Sequence, residues 1–267
     1  MGRKRRRRFK QFNFRLDPKL TWWGCLIFCC LILLVGLGYA IYTSSIFKIN
    51  EEDIKDSRHL LSRGLKMRIK NKSLFSLDIE SISSSLLKTH PEYKEIYVYR
   101  EFPSSIIIEA TKRIPFAQIK DRKFYPVDKE AIILSDGDVR PLDNLIPLDV
   151  RDYSDRLKKG SNIKGKKLEY TFDLIDALGD EGLFDRGQVK LINANSLEAV
   201  YFIFVQKGND AQNASMNEGT KVIVGKGDFR RKLKLLKNLI DHELKDKMFS
   251  LKYIDLRFKK VYMDFKR

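Results

Sequence analysis

The pattern of apolar and charged positions divides the chain into three parts. Residues 1–20 carry nine Lys or Arg side chains and one Asp, residues 21–47 carry no charge, and the remainder alternates apolar and polar positions over short stretches. Within the uncharged part, the 21-residue run 22–42 matches the roughly 20 apolar residues that a helix needs to cross a bilayer. The pattern therefore predicts one transmembrane helix over residues 22–42.

The residues around this run indicate its orientation. Its two ends carry the aromatic residues typical of membrane–water interfaces, namely Trp22, Trp23, Tyr39 and Tyr42. The basic cluster RKRRRR (3–8) precedes the run, and Lys and Arg are enriched on the cytoplasmic side of such helices. Binding of nucleic acid or of anionic lipid by this cluster is an alternative. We expect a cytoplasmic basic tail over residues 1–21 and an exported remainder.

A cleaved signal peptide is the main alternative to a retained anchor. Gly38 and Ala40 are small residues of the kind that precede a cleavage site. The apolar run, however, is longer than the ~7–15 residues of a signal peptide, which favours a retained signal-anchor. The three cysteines of the chain, Cys25, Cys29 and Cys30, lie inside the run. The exported part is therefore expected to fold without disulfides.

Five segments follow the predicted span in the order strand, helix, helix, strand, strand. They are a strand over 47–54, a short helix broken near Gly64 over 56–69, a helix within 73–91, and strands over 95–100 and 104–112. Asp78 is placed to cap the second helix, and Pro91 is placed to end it. This order predicts a small α+β unit that ends near Pro115.

The last two of these strands form a hairpin whose two faces differ. Alternation predicts a buried face made of Ile96, Val98, Ile106 and Ile108. The opposite face carries Tyr97, Tyr99 and Ile107. Because this face exposes more apolar surface than a monomer needs, we predict that it is a docking face.

From Phe116 onward the pattern changes to many short strands separated by turn residues. Two helices interrupt them, over 166–180 and over 228–244, and Asp228 is predicted to cap the second. The polar stretch 208–219 predicts a loop. The predicted strands lie within 116–128, 131–134, 145–150, 188–193, 198–208, 220–225, 250–258 and 261–265.

Three stretches carry motifs in a recognisable order. They are SLFSLDIESISSSLLKTHP (73–91), IYVYREFPSSIIIEATKRIPFA (96–117) and YIDLRF (253–258), and the basic tail and the apolar run precede them. In this order the stretches resemble the FtsQ/DivIB family of bacterial cell-division proteins. Asn71 stands at a position where a glycine is usual in that family.

The resemblance implies an α+β fold with a POTRA-like βααββ domain over 46–115 and a β-rich domain with a C-terminal helix and edge strands over 116–267. It implies a non-enzymatic scaffold of the divisome, a single-pass type II membrane protein at the division septum. Its partners would be coiled-coil division proteins similar to FtsB and FtsL (DivIC) and other divisome membrane proteins. No cofactor, nucleic acid or small-molecule substrate is implied.

Two other classes of protein are alternatives to this one. A membrane-anchored wall-modifying enzyme would use Ser85 and Lys88, which form an S-x-x-K motif, but the S-x-N and K-T-G elements that accompany this motif are missing. The histidines His59, His90 and His242 lack metal-ligand spacing. A POTRA-bearing translocation accessory protein would carry repeated POTRA units and a barrel, and the sequence indicates neither.

The last two strands are the strongest candidates for a partner site. An edge strand has unpaired N–H and C=O groups, so a partner strand can add to it. The predicted partner-binding residues are Arg257 and Phe258, from the D-L-R-aromatic motif of the family, and Val261, Tyr262 and Met263, from adjacency. On this view Tyr262→Pro abolishes partner capture, because proline lacks the N–H.

Overall fold

The computed structural model describes residues 18–50, 52–56, 58–207, 219–244 and 247–266, and the structural statements below concern these residues. The predicted basic tail and the predicted loop at 208–219 therefore lie almost entirely outside the described residues. Within them the fold is mixed α+β, as predicted. An apolar N-terminal helix precedes a sheet-rich part that ends in a helix and two strands.

The helices of the described chain agree closely with the predicted ones. They are α1 (Pro18–Thr43), α2 (Arg63–Ile69), α3 (Ile79–Thr89), α4 (Lys166–Asp180) and α5 (Phe229–His242). The cap predicted for α3 is confirmed, because Asp78 Oδ1 accepts a hydrogen bond from the N–H of Ser81 at 3.1 Å. The prediction for α2 was wrong in one respect: Gly64 lies inside the helix, and Ser62 caps the start by accepting from the N–H of Leu65.

The strands are short, as the frequent turn residues predict. They are β1 (Ile54–Asp56), β2 (Tyr93–Glu101), β3 (Ser105–Lys112), β4 (Ala117–Lys120), β5 (Phe124–Val127), β6 (Ile146–Asp149), β7 (Gly187–Asn193), β8 (Tyr201–Gln206), β9 (Thr220–Ile223), β10 (Leu251–Asp255) and β11 (Tyr262–Phe265). The stretch 131–134, predicted as a strand, makes only isolated bridges. The first strand begins at Ile54, later than predicted.

The helix α1 contains the predicted span. The 21 residues Trp22–Tyr42 are long and apolar enough to cross a membrane, and none of them is buried against the rest of the described chain. Leu33 and Val35, for example, are each 72% exposed. A helix satisfies its own backbone polar groups, and an apolar surface of this extent is favoured in hydrocarbon and disfavoured in water. The helix α1 therefore has the length and the surface of a membrane-crossing helix.

The first sheet has three strands in the order β1-β3-β2, with β1 parallel to β3. The predicted buried face is confirmed, since Ile96, Val98, Ile106 and Ile108 are at most 7% exposed. Burial of each such side chain contributes roughly 1.5–3 kcal/mol relative to exposure. The alternation of apolar and polar residues along β2 and β3 therefore reflects which side chains pack in the core.

Two residues of the family-like motifs have clear structural roles in this part of the chain. The guanidinium of Arg100 donates to the carbonyl oxygens of Leu74 at 3.0 Å and Leu77 at 2.7 Å, so it holds the 3-10 turn Leu74–Ser76 against β2. Asn71 has φ of 65°, in the left-handed region that favours glycine. Asn is among the few other residues that tolerate this region, which explains why it stands in a glycine position.

The second sheet has eight strands in the order β11-β10-β9-β8-β7-β6-β4-β5. The helices α4 and α5 contribute buried residues to its core at helical spacing, namely Leu168, Leu174, Leu178, Leu233, Leu236 and Ile240. Phe202 and Phe204 of β8 are among the largest fully buried side chains. The apolar stripes of both helices are therefore explained by this core.

A buried cation fixes the loop that precedes α5. The Lys232 Nζ donates to three carbonyl oxygens at 2.7–3.0 Å, those of Val224, Lys226 and Gly227. Burial lowers the pKa of Lys232, while the three acceptors satisfy every hydrogen of the ammonium group. Asp228 precedes the first residue of α5, as predicted, but its carboxylate pairs with Arg231 at 2.6 Å and makes no capping hydrogen bond.

The described chain forms two compact units, one from residues up to 82 together with 98–109, and one from 83–97 together with 110 onward. In the second unit, Arg113 at the end of the hairpin pairs with Asp128 and Glu130, each at 2.6 Å. The side chains of Arg113 and Asp128 are only 13% and 7% exposed, so this pair is desolvated and geometrically defined. The domain boundary near Pro115 stays a prediction.

Candidate partner-binding edge

The strand β11 forms one edge of the eight-stranded sheet and pairs antiparallel with β10. Ile254 lies opposite Met263, and Asp255 lies opposite Tyr262. A bulge in β10 between Leu251 and Tyr253 shifts the register once. β11 itself is regular and has a neighbouring strand on one side.

The directions of the backbone groups of β11 follow from one hydrogen bond and the alternation of a strand. The N–H of Lys266 donates to the carbonyl oxygen of Ser250 at 2.7 Å, so it points toward β10. Backbone groups alternate in direction along a strand, so those of Tyr262 also point toward β10. The N–H and C=O groups of Met263 and Phe265 point outward. These four groups are the ones that a partner strand can bind.

This geometry corrects the substitution suggested by the sequence. Proline at Tyr262 would remove an N–H that faces β10, so it would break the pairing within the chain. Proline at Met263 would remove an outward N–H, a position that an edge strand tolerates. Met263→Pro is therefore the substitution that tests strand addition without disturbing β10.

Large apolar side chains surround this edge and are exposed. The exposed fractions are 57% for Phe258, 54% for Tyr262, 37% for Met263, 51% for Phe265 and 77% for Phe249. The rings of Phe258 and Tyr262 pack edge to face with centroids 5.7 Å apart. Aromatic and Met side chains are enriched at protein interfaces. Phe249 and Phe265 were not predicted, although strand alternation places Phe265 on the same face as Met263 and could have indicated it.

Arg257 is held by the chain itself. Its Nε donates to Asp255 Oδ1 at 3.0 Å and its second terminal nitrogen to Oδ2 at 2.7 Å, while its backbone N–H donates to Oδ1 at 3.0 Å. Burial raises the pKa of Asp255, but the hydrogen bonds and charge of Arg257 outweigh this and lower it below the usual value. The same pairing raises the pKa of Arg257. Arg257 therefore stays charged and oriented, with its guanidinium 5.3 Å from the Phe258 ring centroid.

The aliphatic part of the Arg257 side chain packs over Gly225. Gly225 has φ of 56°, and a Cβ placed there would lie 2.8 Å from Arg257 Cγ. Glycine therefore permits both the turn and the close approach of the arginine. Val261, also predicted to bind the partner, is half-buried and packs against the core, so it offers less surface than its neighbours.

The predicted docking face of the hairpin is partly exposed. Tyr97 and Tyr99 of β2 are 49% and 44% exposed, and Ile107 of β3 is half-buried. The hydroxyl of Tyr97 donates to Glu95 Oε2 at 3.1 Å. Docking at these residues stays a prediction.

The residues weighed for catalysis or metal binding have ordinary surroundings. Ser85 and Lys88 lie exposed on α3, and the backbone carbonyl of Ser85 accepts from Thr89 Oγ1 at 2.9 Å. Among the described residues, no group of three or more His, Cys, Asp or Glu side chains is arranged to hold a metal ion.

These observations define a class of protein: an α+β protein with one apolar N-terminal helix and a sheet that ends in an open, aromatic-rich edge. No protein-family model matches the chain. The chain is similar to the cell division protein FtsQ of Geobacter sp. (strain M21), with 29% identity over 189 residues. The match covers 70% of this chain and 63% of that relative, so the chain spans less than two thirds of the relative's length. The similarity confirms the resemblance drawn from the motifs.

Proposed function

We propose that this protein is a non-enzymatic scaffold of the bacterial division machinery. The similarity to a cell division protein FtsQ supports a role in cell division. The apolar helix α1 supports membrane anchoring. In this proposal the N-terminus lies in the cytoplasm, residues beyond α1 lie outside it, and the protein gathers at the septum with other divisome membrane proteins.

The partner in this proposal is a coiled-coil division protein similar to FtsB or FtsL (DivIC), captured by strand addition at β11. The observation that carries the proposal is the open edge: outward backbone groups at Met263 and Phe265 beside exposed Phe258 and Tyr262. Main-chain hydrogen bonds would supply affinity, and the aromatic side chains would supply specificity. In this proposal Arg257, positioned by Asp255, presents a fixed positive charge to the partner.

Localisation tests the proposed role most directly. A fluorescent fusion of the full chain is expected to gather at midcell in dividing cells. The matched control lacks the segment 259–266 and keeps α1, so it should remain in the membrane. Cells that carry this control should no longer recruit or retain the coiled-coil protein through it. An even distribution of the full-length fusion around dividing cells would contradict the proposal.

A further inference from the structure

The chain just after α1 is hydrogen-bonded to a strongly basic segment. α1 ends at Thr43, and six residues later the N–H of Ile49 donates to the carbonyl oxygen of Lys72 at 3.0 Å. The N–H of Asn71 donates to the carbonyl oxygen of Ile49 at 2.9 Å. Six residues span at most ~20 Å even when fully extended. If α1 crosses a membrane, residues 71–72 are therefore held close to its surface.

The segment 58–72 that ends at this anchor point carries six Lys or Arg residues and no Asp or Glu. They are Arg58, Arg63, Lys66, Arg68, Lys70 and Lys72, and Lys66 alone among them is half-buried while the rest are exposed. Three of these cations lie on the seven-residue helix α2. Beside them Met67 is 69% exposed. Clusters of four to eight Lys or Arg residues on the cytoplasmic side of a membrane span bind anionic lipid, and the same electrostatic attraction acts at any leaflet that carries anionic headgroups.

A row of three aromatic rings starts at the same place, and two of the rings are exposed. Phe47 lies four residues beyond the end of α1, and its ring packs on Phe75 with centroids 5.2 Å apart. Phe75 in turn packs on Phe102 with centroids 5.8 Å apart. Phe75 and Phe102 are 42% and 64% exposed, and the nearby Ile46 is 63% exposed. Apolar rings beside Lys and Arg are the composition of surfaces that lie in the headgroup region of a bilayer.

We propose that the basic segment 58–72 and the aromatic row Phe47-Phe75-Phe102 form a membrane-resting surface that binds anionic phospholipid headgroups. Charge complementarity and direct continuity with α1 argue for lipid as the occupant. Several cations acting together add to the anchor and keep this part of the chain against the lipid headgroups. The inference rests on the membrane anchoring of the proposed function and does not depend on the division partner.

Lysine footprinting of the full chain in lipid nanodiscs tests this surface. Lys66 and Lys72 are the reporters, and their acetylation rates are read by mass spectrometry in discs of POPC and in discs of POPC mixed with anionic POPG. We expect both rates to fall about threefold or more in the POPG discs. High salt should restore them, because exposed charges are screened.

A charge-matched pair of variants separates this surface from general attraction. Arg63→Glu with Arg68→Glu leaves both reporters in place and should abolish the difference between the two discs. Arg122→Glu with Arg140→Glu makes the same charge change at exposed positions elsewhere and should preserve it. Equal reporter rates in the two discs, or equal loss in both variants, would overturn the proposal. Because only disc-embedded protein is labelled, such a result would leave anchoring and the division role standing.

Discussion

The two edges of the eight-stranded sheet differ in whether their outward backbone groups are hydrogen-bonded. At β5 every outward backbone group is occupied: the N–H and C=O of Phe124 bond to Asp138, and the carbonyl oxygen of Pro126 accepts from the N–H of Leu134. Pro126 has no N–H to leave unpaired. At β11 no described residue bonds to the outward groups of Met263 or Phe265.

The contrast supports the proposal that β11 is the edge to which a partner strand adds. Proteins normally protect edge strands, because unpaired edges recruit other chains. The stretch 132–138 covers β5, and Gly137 lets it approach closely, since a Cβ there would lie 2.7 Å from the ring of Tyr125. The opposite edge keeps its backbone groups free and is lined with exposed aromatic side chains. In the proposed function, the edge that stays open is the one to which a partner strand adds.

Blocking strand addition at the open edge should give the largest effect, a loss of affinity for the partner. Met263→Pro removes one outward N–H and places a ring against an incoming strand, so affinity for an FtsB-like coiled-coil partner should fall about a hundredfold, or ~3 kcal/mol. Binding to the immobilised full chain in detergent measures this. Met263→Ala is the control, since it keeps the N–H and should lose much less. Undiminished binding by a folded Met263→Pro protein would show that the partner does not add a strand here.

Displacing the stretch 132–138 from β5 should lower the free energy of unfolding. Gly137→Ala combines a positive φ of 79° with the contact to Tyr125, so the free energy of unfolding should fall by about 2 kcal/mol and self-association should rise. Gly227→Ala is the matched control, because its φ is 68° but no atom lies within 4 Å of the new Cβ. Gly227→Ala should lower the free energy of unfolding by about 1 kcal/mol. Equal losses in urea unfolding would show that the cover on β5 does not depend on this close approach.

The charge pair beside the open edge should give a pH-dependent effect. Asp255 has a lowered pKa, so its stabilisation is present above its unfolded pKa of about 3.9 and is lost as pH falls through the lower folded value. Asp255→Asn should therefore be less stable than the natural protein by about 1 kcal/mol at pH 7, and the difference should be smaller at about pH 2. Urea midpoints at the two pH values measure this. A stability difference that does not change with pH would contradict the pairing.

The smallest effect is expected from one exposed ring at the open edge. Phe258→Ala should leave the free energy of unfolding within ~0.5 kcal/mol and weaken partner binding about fivefold, or ~1 kcal/mol. Phe102→Ala is the control, because that ring is exposed to 64% and lies outside the edge. If both variants bind the partner equally well, Phe258 makes no contact with it.

Regular elements were predictable because their signals are local. The α4 helix starts and ends where its apolar spacing indicated, and Asp78 caps α3 as expected. The hairpin faces follow from alternation along β2 and β3. The stretch 131–134 has the apolar composition of a strand, yet it bridges Val127 and Asn162 at isolated points. Its pairing depends on distant residues, and composition carries no information about them.

The candidate site was predicted in part. The sequence indicated a strand over 261–265, and the resemblance implied that Arg257 and Phe258 contact a partner, which stays a prediction. It did not indicate that Asp255 holds Arg257, so a substitution such as Arg257→Glu would place two carboxylates against each other and disturb the edge itself. It also missed Phe249, which lies in a 3-10 turn before β10 and follows no periodic pattern.

The sequence by itself determined the apolar span, the concentration of positive charge before it, the α+β class and the motifs shared with a division protein. These depend on composition and on spacings of a few residues, and local backbone geometry converts them directly into helices and strands. Only the tertiary structure decided which edge of the large sheet stays open and which groups of β11 point outward. Those features depend on strand order and register, which arise from contacts between residues far apart in the chain.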